Sequence, residues 1–379
     1  MLVEEASRVQ QSVACDLCGA MQEALVYTKV EADGAYRIVR CDSCGLVYVN
    51  PRSFAEGHDG YFRGPYLATI EENGKLRDTI VPLYSEVMAH LEAYLYPGRL
   101  LDVGCAMGHF MDFARRRGWE VTGVECSRYA AARGRERFRL RIHSICNLSQ
   151  VQYPSDYCDA AVMVEVVEHL PNPRQALAEV LRVLKPGGVF CLTTPNFACY
   201  RSLLLREEWD PVIPSGHLYY FTAETLGALL RSVGFCDVVQ LTKRASFEED
   251  LRFARQSGKL RMDDAVVEEL RARLSSEDAH RVSNGRSEGL VLCAQKPVSG
   301  GVRASRRAMA SPAPLEGKLV KASKLAGRNE DARVFYIDRG VKHWVTSAEW
   351  ITTRGLRFPD DLLVVPAQDL AAVPEGPAI

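Results

Sequence analysis

Short apolar runs at 99–104, 119–125, 139–145, 158–164 and 189–194 alternate with helix-like segments at 109–117, 127–138 and 173–184. That rhythm predicts an α/β fold built on a doubly wound sheet. Pro171 and Pro173 open the last of these helices and Gly187-Gly188 close it, as proline's fixed φ suits a helix start and glycine suits its end. Two later apolar runs, Val238 to Leu241 and Leu290 to Ala294, complete the sheet. Between them Phe247 to Leu274 is charged and helical, an insertion within the domain. Val81 to Leu95 also has helical apolar spacing, and Thr222 reads as the N-cap of a helix from Ala223 to Val233.

The pattern changes on both flanks. Ala24 to Tyr27 and Tyr36 to Val39 are strand-like, and Gly45 to Val49 continues them. Residues 298 to 316, with Gly300-Gly301, Arg303, Arg306, Arg307 and Pro312-Ala313-Pro314, read as a linker. Beyond it Arg333 to Ile337 is a strand, Asp338-Arg339-Gly340 a turn, and Val341 to Val345 the returning strand of a hairpin. Thr346-Ser347 cap a short helix through Trp350, and Leu362 to Val365 is another apolar run. In so small a unit Tyr336, Trp344 and Trp350 serve as its core. The chain therefore divides into 12–52, a lid segment and docking helix at 53–97, the α/β domain at 98–297, the linker, and an α+β module at 317–379.

Composition adds limits. With 379 residues, 47% apolar content and a formal net charge of −1, the chain can bury a full core in two or three units. No apolar run reaches the ~18 residues of a membrane span, and the start MLVEEASRV lacks a secretion-signal layout. A cytoplasmic protein is expected. Of the 12 cysteines, eight lie singly within strands, helices or turns, which suits a reducing compartment.

The other four are patterned. Cys15-Asp16-Leu17-Cys18-Gly19 and Cys41-Asp42-Ser43-Cys44-Gly45 are two C-x-x-C-G knuckles separated by 22 residues. Two residues between thiolates let both sulfurs reach one ion, and four thiolates close a tetrahedral Zn2+ shell with no open position. The expected role of this ribbon is structural. No basic cluster with interleaved aromatics surrounds it, and a sequence pI near 6.7 disfavours phosphate-dominated binding to nucleic acid.

The most informative stretch is Leu100-Leu101-Asp102-Val103-Gly104-Cys105-Ala106-Met107-Gly108-His109. It is an apolar run, an acid, then a tight glycine-bearing turn. A dinucleotide fingerprint would need glycine at 104, 106 and 109, where Gly104, Ala106 and His109 stand. Asp102 favours a ligand with a cationic end and no phosphate, as the α-amino and sulfonium groups of S-adenosylmethionine supply. Glu125 follows at the interval at which a second strand presents a carboxylate to ribose hydroxyls.

Asp102 to Gly108, Glu125, the segment Asp159 to Pro173 and Leu184-Lys185-Pro186-Gly187-Gly188 together resemble the class I S-adenosylmethionine-dependent methyltransferases, over roughly residues 98 to 297. The resemblance implies a Rossmann-like methyltransferase sheet. It also implies that Asp102 and the turn Gly104, Cys105, Ala106 to Gly108 hold the methionine moiety, Glu125 the ribose, and Asn147-Leu148 the adenine. Ala106 departs from the usual glycine. In resembling proteins an aromatic segment before the first strand closes over the cofactor, which marks Tyr61 and Tyr66. Ligands of such sheets sit at the carboxyl ends of the strands, where Asp102, Glu125, Asn147 and Glu165 all fall.

Methyl transfer is an in-line displacement in which positioning can supply much of the catalysis. If the acceptor is a hydroxyl, a histidine near the fourth strand end is the obvious base. His169, in Glu165-Val166-Val167-Glu168-His169, occupies that place, and His217 is the second candidate. Asn196, Trp209, His217 and Tyr220 are candidates to line the acceptor pocket. No adenine-N6 or cytosine-C5 motif is present. The expected acceptor is a small molecule, a hydroxyl or carbon of a sugar, polysaccharide precursor or specialised metabolite, an assignment resting on resemblance alone. The alternatives are an RNA methyltransferase and a non-catalytic cofactor-binding adaptor.

Overall fold

The computed structural model describes residues 10–53, 81–241, 245–278, 286–298, 319–322, 334–338, 341–345 and 362–365. The amino-terminal strands are β1 (Gln10–Gln11), β2 (Glu23–Glu31), β3 (Gly34–Cys41), β4 (Val47–Val49) and β5 (Arg52–Ser53). The central ones are β6 (Arg99–Val103), β7 (Glu120–Glu125), β8 (Ile142–Ser144), β9 (Cys158–Val164), β10 (Leu184–Pro195), β11 (Tyr219–Tyr220), β12 (Cys236–Leu241) and β13 (Gly289–Gln295).

Seven strands form one sheet in the order β12-β13-β10-β9-β6-β7-β8. β6 pairs in parallel with β7 and with β9, and β7 with β8. Leu100, Leu101, Asp102 and Val103 on β6 are all buried, as a strand covered on both faces requires, with Asp102 the one polar residue among them. The doubly wound expectation holds, and both late runs join the sheet. The glycines at 187 and 188 do not close a helix, because the helix Pro173–Val183 runs straight into β10. Their role is close approach: the Gly187 N–H donates to the Lys296 carbonyl, and a Cβ on Gly188 would meet the Lys185 and Asp159 carbonyl oxygens at 2.8 and 2.9 Å. Two of the eight single cysteines also need correction. Cys191 on β10 and Cys293 on β13 are disulfide-bonded, and the other ten are free thiols.

Two compact units divide the chain. One comprises Gly64–Val162, Arg182–Cys191 and Gln295–Ile379. Its helix Val81–Glu92 is anchored by a buried ion pair: Arg117 Nε donates to Glu92 Oε1 at 2.9 Å, and Trp119 Nε1 donates to the same oxygen at 3.4 Å. Its carboxyl-terminal strands β14 (Leu319–Ala322), β15 (Phe335–Asp338), β16 (Val341–Trp344) and β17 (Leu362–Val365) form a sheet in the order β16-β15-β14-β17. The expected hairpin is β15 with β16; β14, which no pattern announced, pairs with β15 and runs parallel to β17. The short helix at 346–350, the linker, Tyr61 and Tyr66 lie outside the described residues.

The other unit comprises Met1–Arg63, Met163–Leu181 and Leu192–Ala294. Here β2 and β3 form a hairpin, β4 adds to β3, and β11 adds to β4 with Tyr219 opposite Tyr48 and Tyr220 opposite Val47. Ile38, Val47 and Val49 of the ribbon share one core with Trp209, Tyr220, Leu251 and Leu270. The charged insertion is two helices, Phe247–Gln256 and Asp264–Asp278, whose apolar faces enter that core. The capping box at Thr222, with Thr225 at N3, opens the helix Ala223–Val233 as its sequence indicates.

Candidate active site

In the first unit, the chain leaves β6 at Asp102-Val103 and turns through Gly104 (φ 78°), Ala106 (φ 46°) and Gly108 (φ 77°) before the helix His109–Arg116. Left-handed backbone is free for glycine but strained for Ala106, at roughly 1–2 kcal/mol. The Gly104 and Cys105 N–H groups donate to the Val124 carbonyl at 2.8 and 3.1 Å. Glu125 Oε2 accepts from the Ala106 N–H at 2.8 Å and Oε1 from the Ser127 N–H at 2.7 Å. The acid on β7 therefore holds the turn after β6 in shape.

Asp102 is 2% exposed and its Oδ2 has no hydrogen-bond partner. Burial, and then the charge of Glu125, push its pKa up to about 8. Glu125 is also raised by burial, against the stabilising N–H groups of Ser127 and Ala106. A buried, unsatisfied acid of this kind calls for a cation. The α-amino and sulfonium groups of S-adenosylmethionine fit that demand, and no phosphate would be repelled. Tyr84, raised by burial and then by Asp102, stands close to this acid and was not marked by any motif. Asn147 spends its Oδ1 on the Ser149 N–H and hydroxyl, as the cap of Leu148–Val151, while Leu148 is buried.

In the second unit, Glu165 follows β9 with φ 54°, a strained conformation pinned by donation of its N–H to Thr193. Thr193 Oγ1 donates to Glu165 Oε1 at 2.7 Å, and Thr194 Oγ1 donates to Glu168 Oε2 at 2.9 Å. Glu165 is reached by solvent, but the protein around it and then the Glu168 charge raise its pKa. Glu168, 1% exposed, is raised by burial. His169 Nδ1 lies 2.9 Å from the Gly216 carbonyl, His217 Nδ1 2.8 Å from the Pro211 carbonyl, and the two rings meet edge to face at 4.6 Å. Burial lowers the pKa of His169, and burial then His169 push His217 down to about 3. Both rings are therefore neutral at pH 7, and His217 is too weakly basic to take a proton well.

The structure brings the two histidines together although 47 positions separate His169 from its partner carbonyl. It does not support all of the pocket lining expected from sequence. Trp209 and Tyr220 belong to the shared core, and Asn196 is fully buried, donating to the Ser287 carbonyl and accepting from the Ala198 N–H. Thr193 and Thr194, missed beforehand, sit two places and one place before the end of β10, a strand-end position that could have marked them.

The knuckles repeat one backbone pattern. Gly19 and Gly45 (φ 79° and 77°) donate to the Cys15 and Cys41 carbonyls at 2.7 and 2.9 Å, and the Cys15 and Cys41 N–H groups donate to Ala20 and Leu46, both at 2.9 Å. The four sulfurs lie within 4.8 Å of one another, with Cys15–Cys44 at 3.4 Å and Cys18–Cys41 at 3.5 Å. Sulfurs bonded at about 2.3 Å to one tetrahedral ion stand ~3.8 Å apart, so the cluster suits Zn2+. Burial raises Cys15 and pushes Cys44 up to about 11, protons that an ion would displace. Arg174 joins this knuckle to the helix Pro173–Val183: its Nε donates to the Asp16 carbonyl at 2.9 Å and Nη2 to the Leu17 carbonyl at 2.6 Å.

Residues 78–241 match the family described as "Methyltransferase domain". The chain is 31% identical to a Mycolicibacterium smegmatis protein described as "Probable S-adenosylmethionine-dependent methyltransferase", over 40% of this chain and 57% of that one. It is also 31% identical to the malonyl-[acyl-carrier protein] O-methyltransferase of Salmonella typhimurium, over 33% and 49%. The chain thus spans about half the length of the curated relatives it matches. An Archaeoglobus fulgidus SAM-dependent methyltransferase structure, 18% identical, aligns over 60% of this chain and 99% of its own with a TM-score of 0.44. The matched region, carrying the acid-bearing turn after β6, belongs to the class I S-adenosylmethionine-dependent methyltransferases. A four-cysteine ribbon suited to zinc precedes it. Among the described residues no helix is long and apolar enough to cross a membrane.

Proposed function

We propose that the chain methylates a small-molecule acceptor at a hydroxyl or carbon of a sugar, polysaccharide precursor or specialised metabolite, in the cytoplasm. The carrying observation is Asp102, a buried acid with an unpartnered oxygen beside a left-handed turn that Glu125 holds in shape. S-adenosylmethionine supplies an electrophilic methyl group on a sulfonium. Asp102 balances the positive charge, the turn and Glu125 fix the ligand's orientation, and Leu148 offers an apolar surface to the adenine. His169 and His217 are the proposed acceptor contacts, and positioning of the nucleophile supplies much of the catalysis. A small acceptor is consistent with the near-neutral charge of the chain, which does not favour a polyanionic partner.

Titration calorimetry with S-adenosylmethionine, followed by methyl-transfer assays over sugar nucleotides and phenolic metabolites, tests this. One donor per chain and a methylated small product are expected. No donor binding would overturn the enzyme reading, and RNA binding that falls steeply with salt would replace the acceptor class. The pH dependence has a definite sign. Asp102 is raised in the fold, so its contribution to stability is present at low pH and lost as pH climbs through about 8. A cationic ligand favours its ionised form, so donor affinity should rise between pH 6 and 8. Asp102→Asn should flatten that slope and weaken binding about 10- to 100-fold, roughly 1.4–2.7 kcal/mol.

A further inference from the structure

Glu168, His169 and His217 form a second cluster of ligating groups, remote in sequence from the cysteines. One side-chain donor atom from each lies within 4.8 Å of the others. Three features set it apart from an ordinary buried polar group. Glu168 is 1% exposed, and its Oε1 has no hydrogen-bond partner although Oε2 is bound by Thr194. Among the described residues Glu168 meets no lysine or arginine, so its buried carboxyl stands without a permanent cation. Each histidine turns its Nδ1 to a backbone carbonyl, Gly216 for one and Pro211 for the other.

The last feature fixes chemistry. A neutral imidazole that donates from Nδ1 presents an electron pair at Nε2, and metal-bound histidines are held in this way by a carbonyl behind the ring. His169 Nε2 and Glu168 Oε1 then face one another at 3.8 Å, beyond hydrogen-bond length. Two bonds of about 2.1 Å to one ion at a tetrahedral angle put their donor atoms ~3.4 Å apart, so this pair closes on an ion with a shift of a few tenths of an ångström.

We propose that Glu168, His169 and His217 bind one divalent first-row transition ion, with two imidazoles and one carboxylate on one side and the remaining positions open. Such a donor set accepts Mn2+, Fe2+, Co2+ or Zn2+, whereas four thiolates select Zn2+. Glu165 and Thr193 lie outside the ligand set and steady the loop that carries it. In combination with the proposed methyl transfer, the open positions would take acceptor oxygens. The binding claim itself needs neither donor nor acceptor.

The test uses the zinc-loaded full chain, titrated with Mn(II) and separately with Co(II), read by loss of the free Mn(II) paramagnetic signal and by Co(II) visible bands. One ion per chain beyond the ribbon's zinc is expected. Glu168→Gln, which keeps the shape and the Thr194 hydrogen bond, and His217→Ala should each weaken binding at least tenfold with zinc content unchanged. If His217→Ala fails to fold, Glu168→Gln decides. No ion beyond the ribbon's zinc, or equal affinity in wild type and Glu168→Gln, overturns the site and leaves the methyl-transfer proposal standing.

Discussion

Cys15, Cys18, Cys41 and Cys44 offer four thiolate donors to one ion, whereas Glu168, His169 and His217 offer three donors of mixed kind. The two clusters lie in the same unit and are built by opposite means. Each pair of cysteines comes from one short turn whose backbone hydrogen bonds close locally. The carboxylate and histidines are assembled from the loop after β9 and the turn before β11; Glu168 and His169 are aimed by a hydroxyl and a carbonyl from distant segments, and His217 by the Pro211 carbonyl of its own turn. A closed set suits a staple, and an open set suits a place where something must come and go.

Cys41→Ser is the most severe way to probe the contrast. Structural zinc sites feed on the order of 10 kcal/mol of binding free energy into folding, and this ribbon contributes Ile38, Val47 and Val49 to the shared core. Zinc content should drop below one per chain and the cooperative thermal transition should be lost; an unchanged melt would remove the staple from the comparison. Arg174→Ala comes next. It deletes two charge-assisted bonds to ribbon carbonyls, so urea denaturation should show a loss of about 2–3 kcal/mol, with zinc retained. Mildest is chelation of the open cluster. Removing an ion present at about tenfold its Kd should cost roughly 1.4 kcal/mol, and a larger shift in the thermal midpoint would make that cluster structural too.

The same contrast explains what could be read from the sequence. The cysteine knuckles, the turn at Gly104 to Gly108 and the strand-helix rhythm are signals carried within a few residues, and the structure reproduces them. Glu168 was visible only as a letter in a motif, because its importance depends on burial and on Thr194, which arrives from another strand. Trp209 and Tyr220 were misplaced for the converse reason. An aromatic in a loop after a strand can face a ligand or a core, and here the ribbon and the two insertion helices supply the core. Gly187 and Gly188 could equally end a helix or admit a close backbone, and only packing against Lys185 and Asp159 decides.

The pairing of β4 with β11 also bears on how the chain is made. Residues 47–49 leave the ribosome long before Tyr219 and Tyr220, yet the ribbon sheet is incomplete until those two residues arrive. The knuckles can take up their ion early, while β4 waits with an unpaired edge, a template for unwanted pairing. Such late, non-local closure slows folding. Early zinc capture would then act as a chaperone in cis, holding the amino terminus in register until the residues that follow His217 have been synthesised.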